Sequence, residues 1–160
     1  MFPNEETWSR DSHSFKYPAN GLLQVKGIIP DSEMHHPSPA VLDEHGSPCL
    51  MVMKPGNTTG LTLGRSNTIR SFVRTYGING GTKISKEWAI FSYNSKLGPF
   101  SAGGDSGSGI FDCWGRLGGL LTGGSGTTDS TDVTYATPIS FILDSLHEHG
   151  YEVTLDANLK

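Results

Sequence analysis

Cysteine is nearly absent from this 160-residue chain, with Cys49 and Cys113 the only two. That is too few for a secreted disulfide scaffold, and both are expected to be unpaired thiols. Charge is sparse as well: 18% of residues are charged, and 12 Lys and Arg against 16 Asp and Glu give a net charge of −4. No basic block appears, which speaks against a nucleic-acid partner. No apolar run approaches the roughly 18 residues a membrane span needs, so no membrane partner is expected. The start, Met1-Phe2-Pro3-Asn4-Glu5-Glu6, is acidic and lacks the apolar segment of a signal peptide, which makes an intracellular location the expectation.

Glycine is what the chain has in excess. With 21 glycines, 9 prolines and 35% hydrophobic residues, the composition points to a loop-rich β protein. Residues 1–48 read as an irregular lead-in and connector, with one strand near 22–29 closed by Pro30. Pro37, Pro39, Gly46 and Pro48 break any longer ladder in that stretch. Short strands then follow at close intervals. They are Cys49 to Lys54, the alternating Leu61 and Leu63, Ile69 to Tyr76, Glu87 to Tyr93, Ser108 to Cys113, Leu117 to Thr122 and Val133 to Ala136. Such spacing between Gly turns favours a sandwich or closed barrel. One helix is signalled from Pro138 to His149: Thr137 can cap it, and Ile139, Ile142, Leu143 and Leu146 follow its period. Gly150 is placed to end it, with 151–160 left as a tail.

The chemistry concentrates in Gly98 to Gly126, which holds 11 of the glycines. It contains Gly104-Asp105-Ser106-Gly107-Ser108. With this chain's own glycine usage, a chance Gly-Asp-Ser-Gly has a probability of about 2%. A nucleophilic serine needs its hydroxyl on a tight turn, with backbone N–H groups free to hold an oxyanion. Glycines on both sides permit that turn. Asp105 is then free to fold inward and lock the loop through a buried ion pair or hydrogen bonds.

This segment resembles the active-serine loop of the chymotrypsin/trypsin-like serine peptidases. Val52-Met53-Lys54-Pro55-Gly56 with Thr59 to Gly64 resembles the strand–turn–strand that opens the second barrel of that family. Gly115 to Gly124 resembles the strand after the serine, and Tyr135-Ala136-Thr137-Pro138-Ile139 the last strand and closing helix. The chain as a whole is similar to fungal proteins of trypsin-like fold. The resemblance implies an all-β, antiparallel Greek-key barrel over 49–150 with one C-terminal α-helix. It implies Ser106 as nucleophile, the Gly104 and Ser106 amides as oxyanion hole, and a peptide or protein as substrate. Phe100 would lie near the floor of the substrate pocket, with Thr122, Gly123 and Gly124 along its wall. Ala102 stands where secreted members usually carry a cysteine.

The family's catalytic His and Asp come from an N-terminal barrel that the 48 residues before Cys49 do not form. The missing barrel is therefore a candidate partner, and the chain reads as incomplete or inactive alone. A serine without its base loses about 10⁶ in turnover. His13, His35, His36 and His45 read most simply as solvated connector residues. His147 and His149 do not share a helix face, so no metal site is expected, and no cofactor is called for. The second reading is a non-catalytic module that holds an extended peptide by strand addition.

Overall fold

The computed structural model describes residues 21–38, 41–43, 46–77, 80–94, 97–126, 132–153 and 155. The lead-in over 1–20, His13, His45, most of the acidic loop at 129–132 and the end of the tail lie outside them. Helix α1 (Asp31–His35) is followed by β1 (Val41–Leu42) and β2 (Pro48–Cys49), a small antiparallel pair. Six strands then form a closed barrel: β3 (Met51–Gly56), β4 (Gly60–Tyr76), β5 (Thr82–Ser92), β6 (Gly109–Asp112), β7 (Leu117–Ser125) and β8 (Val133–Pro138). Helix α2 (Ile139–Glu148) closes the chain.

Around the barrel the order is β3-β4-β5-β8-β7-β6, every neighbouring pair antiparallel. Hairpins join β3 to β4, β4 to β5, β6 to β7 and β7 to β8. The exception is the connection from β5 to β6, which crosses to the far side of the barrel and gives it the expected Greek-key order. This crossover carries Gly104 to Ser108.

Apolar side chains from opposite walls meet inside. Leu50, Val52, Trp88, Ile90, Phe100, Ile110, Leu121 and Ala136 form one buried cluster, and Ile29 and Met34 from the connector complete it. The connector is therefore part of the barrel's core. Arg116 reinforces this by reaching Glu33 Oε2 at 2.7 Å and Asp112 Oδ2 at 2.6 Å. Gly64 marks how tightly the core is filled, since a Cβ there would sit 2.7 Å from Phe100 Cδ2 and 2.8 Å from Ile90 Cγ2.

The strand expected near 22–29 does not form. Gly21 and Gly27 take φ of +71° and +117°, which breaks an extended run. What remains is one parallel bridge, Ile28 to Leu117, held by hydrogen bonds from the Ile29 amide to Leu117 O and from the Leu117 amide to Gly27 O. Helix α1 arises where an irregular connector was expected. The runs around Leu63 and Ile69 to Tyr76 are one strand, continuous through a register shift between Ser66 and Arg70. Pro138 is the N-cap of α2, because the Thr137 hydroxyl donates instead to Glu87 Oε2 at 2.9 Å. Gly150 follows the helix at φ +82°, as expected of its end. Cys49 and Cys113 are unpaired. Burial, reinforced by the Asp43 and Asp112 carboxylates respectively, pushes their thiols up to about 11 and about 12. Neither is a thiolate nucleophile at neutral pH.

If the connector belongs to the core, Met34→Ala should cost about 2–5 kcal/mol, the range for deleting a buried large side chain. Urea unfolding monitored by Trp fluorescence measures it. A loss within experimental error would show that the connector merely lies against the surface.

Candidate active site

The site is a hairpin holding a loop. The β3–β4 hairpin offers Lys54, Thr58, Thr59 and Thr62, and each of them engages the crossover between Phe100 and Asp105. The Lys54 ammonium lies 3.0 Å from Asp105 Oδ2, with both side chains fully out of solvent. Lys54 also donates to Thr59 Oγ1 at 2.6 Å, and that hydroxyl passes a hydrogen bond to Asp105 Oδ2 at 2.7 Å. The amides of Thr58 and Ala102 donate to Asp105 Oδ1 at 2.7 Å and Oδ2 at 3.0 Å, and the Thr59 amide reaches Oδ1 at 3.2 Å. Two threonine hydroxyls grip the loop backbone itself, Thr58 on Gly103 O at 2.8 Å and Thr62 on Phe100 O at 2.7 Å.

Burial by itself would raise the Asp105 pKa. The Thr59 hydroxyl, the Ala102 and Thr58 amides and the Lys54 ammonium outweigh it and hold the carboxyl well below its usual range. For Lys54, burial is the largest effect and lowers its pKa, with Asp105 opposing. Asp105 is turned inward, and its ion-pair partner is Lys54. Sequence reasoning overlooked that partner. The available signal was a lysine inside the apolar run Met51-Val52-Met53-Lys54, where a charge has to find a counter-charge to be tolerated.

With Asp105 turned inward, its neighbours face out. Gly104 at φ +101° and Gly107 at φ +86° adopt backbone that L side chains rarely reach, so the expected glycine-flanked turn is present. Ser106 between them is exposed. Around it, the Asp105 amide bonds Ala102 O, the Gly107 amide bonds Leu121 O at 2.8 Å, and the Ser108 amide bonds Asp105 O. The Gly104 and Ser106 amides make no hydrogen bond to another described residue. A Cβ at Gly104 would collide with Thr58 Oγ1, and at this φ any side chain would be strained.

Beside the turn, β7 carries Thr122, Gly123 and Gly124. Among the described residues, past Leu121 the strand is paired with β8 alone, while β6 ends its ladder at Leu120. The edge from Thr122 to Ser125 is thus open on the β6 side, and a Cβ at Gly123 would meet only open space. Phe100, by contrast, is 1% exposed and sits in the core with the Lys54 ammonium 5.6 Å from its ring centroid. It presents almost no surface to a ligand. Two of the described histidines bond elsewhere: His35 Nδ1 lies 2.8 Å from Thr68 O and His149 Nδ1 lies 2.7 Å from Ser145 O. Among the described residues no group of three or more His, Cys, Asp or Glu is placed to hold a metal ion. No helix among them is long and apolar enough to cross a membrane.

Neither a family model nor a curated protein matches the sequence. Solved structures do match. The chain is similar to Cellulomonas bogoriensis chymotrypsin, at 21% identity and a TM-score of 0.52 over 82% of this chain. It spans only 57% of the length of that chymotrypsin. Thermobifida fusca protease A matches at 21% identity and a TM-score of 0.44, over 68% of this chain and 58% of that one. The barrel has the trypsin-like fold.

Breaking the lock from either side leaves a buried charge unmatched. Lys54→Met or Asp105→Asn should each lose about 3–5 kcal/mol, and the double variant less than their sum. The Asp105 pKa is depressed in the folded chain. Its contribution is therefore complete above the unfolded value of about 3.9 and is lost as pH falls toward the folded value. Chemical unfolding across that acid range should show wild type losing stability more steeply than the double variant. Parallel pH profiles would exclude the pair as a stabilising lock.

Proposed function

We propose that this chain is a serine-peptidase-like domain in which Ser106 is the nucleophile for peptide-bond hydrolysis. The observation that carries the reading is the buried Lys54–Asp105 pair. It pins one side of the Gly104–Gly107 turn inward while Ser106 stands exposed beside two amides with no partner among the described residues. Those amides are well suited to an oxyanion: backbone donors fixed in place need no reorganisation when charge develops on the carbonyl oxygen. In this reading the Gly104 and Ser106 N–H groups take that charge. An extended peptide lies along the open β7 edge, where Thr122, Gly123 and Gly124 form the pocket wall above buried Phe100.

In this reading the base comes from outside the described residues. A serine hydroxyl attacks poorly until a neighbour takes its proton. We assign that task to a His and Asp borne by a first barrel, either elsewhere in a longer chain or on a partner. Alone, the domain holds the nucleophile and oxyanion site and turns over little substrate. A second reading rests on the open edge from Thr122 to Ser125: a module that holds a peptide there without cleaving it.

A fluorophosphonate probe with and without free imidazole separates these. The isolated chain should label slowly, imidazole should speed labelling as a surrogate base, and Ser106→Ala should not label. General-base assistance is worth about 10²–10⁴ when well placed, so a smaller but clear increase is expected from a diffusing base. No Ser106-dependent labelling under any condition would favour the peptide-holding module. Fast labelling without imidazole would overturn the assignment of the base to another barrel.

A further inference from the structure

Strands β4 and β5 run well past the barrel. β4 pairs with β3 only as far as Arg65, and β5 pairs with β8 only from Trp88 onward. Between Arg70 and Glu87 the two strands pair with each other alone, forming a two-stranded arm. A ribbon of two strands is marginal in water unless something covers it. Here one face carries exposed apolar side chains interleaved with cations. Phe72, opposite Lys86, is 70% exposed, Ile84, opposite Arg74, is 59% exposed, and Tyr76 is 75% exposed. The cations fold over the rings, Lys86 at 5.6 Å from the Phe72 centroid and Arg74 at 5.7 Å from Tyr76.

Charge is segregated onto this arm. Residues 67–86 hold four basic side chains, Arg70, Arg74, Lys83 and Lys86, and no acidic one. The rest of the chain keeps 8 Lys and Arg against all 16 Asp and Glu. Arg70 is taken by Asp31 of α1 at 2.6 Å, and no described carboxylate pairs with Arg74, Lys83 or Lys86. The two edges of the arm also differ. On the β4 side, α1 engages the backbone only at the base of the arm, where His35 Nδ1 lies 2.8 Å from Thr68 O. On the β5 side, β8 leaves the sheet at Pro138 to begin α2, so no described strand continues alongside Thr82 to Lys86. Successive side chains on this edge point to opposite faces, putting Lys83 on one and Lys86 on the other.

We propose that the outer edge of β5 from Thr82 to Lys86 binds an extended acidic polypeptide segment by strand addition. Backbone groups of the incoming strand complete the open ladder. Its carboxylates meet Lys83 and Lys86 on opposite faces, and its apolar side chains cover Ile84 and the neighbouring rings. The unpaired edge favours a polypeptide over a lipid surface or a nucleic acid, since neither uses ladder hydrogen bonds. Charge disfavours a second copy of this edge, because pairing it with itself would bring Lys83 and Lys86 against their own kind. The site lies on a different strand from the β7 edge and is independent of any role for Ser106.

Fluorescence anisotropy of a labelled alternating Glu-Val peptide against the Ser106→Ala chain tests this, with cleavage excluded. Saturable binding is expected, weakened at least about tenfold by Lys83→Glu/Lys86→Glu, two exposed positions that leave the fold intact by circular dichroism. A peptide of the same charge with prolines at alternate positions should bind at least about tenfold more weakly, because it cannot extend a ladder. Equal binding of the proline peptide would reduce the site to charge attraction and overturn the proposal. So would tighter binding of oligothymidylate or of phosphatidylserine vesicles, or indifference to the charge reversals. Concentration-dependent dimerisation in sedimentation, abolished by the same reversals, would instead make the edge a self-association surface and also overturn it.

Discussion

A lysine ammonium and an aspartate carboxylate are both withdrawn from water beneath the turn that bears Ser106. Removing two ions from solvent is costly, and their mutual attraction offsets the cost only when the remaining hydrogen-bonding capacity is also met. Here it is met from three sides: the Thr58 and Thr59 amides, the Thr59 hydroxyl and the Ala102 amide all converge on one carboxylate. The arrangement tolerates little change. A Cβ at Gly56 would lie 2.5 Å from Asp105 Oδ1 and would collide with the Lys54 ammonium as well. The close packing of Lys54 and Asp105 leaves room only for a glycine there.

The barrel's topology places these groups together. Because the β5–β6 connection crosses to the far side, a loop some fifty residues downstream in sequence is brought onto the β3–β4 turn. The core holds the same loop from beneath through Phe100, whose ring fills the space that Gly64 leaves open. Loop and hairpin are thereby tied both by packing and by polar contacts. Only the outer surface of the turn, with Ser106, is left without a covering element among the described residues. Among the described residues, β7 and the β5 arm each present an open strand edge, and these differ in character. The β7 edge is lined by glycines and a threonine, the arm by lysines and exposed apolar groups.

Much of this was legible in the chain. The spacing of strands between Gly turns favoured a sandwich or closed barrel, the family resemblance chose the barrel, and the 3.6-residue period from Ile139 to Leu146 gave α2. The tetrapeptide Gly104-Asp105-Ser106-Gly107 located the turn, in which Asp105 is buried. Other features depend on contacts that local pattern does not encode. Helix α1 is five residues long and earns its place through Met34 in the core and Glu33 on Arg116, interactions with residues far along the chain. The segment near 22–29 has a strand's composition, but Gly27 breaks it at a positive φ. Thr137 is a good capping residue that is claimed by Glu87. Lys54 could be noticed in its apolar run, yet nothing in the sequence named its partner.

The central claim is that the buried pair holds the serine turn in place. Amide hydrogen exchange at Asp105, Gly107 and Ser108 tests it most directly, since all three amides are hydrogen-bonded within or across the turn. In Lys54→Met, under conditions where the barrel remains folded, those amides should exchange faster than in wild type while barrel amides such as Ile90 keep their protection. Unchanged protection across the turn, in a variant that has lost the ammonium, would contradict the account.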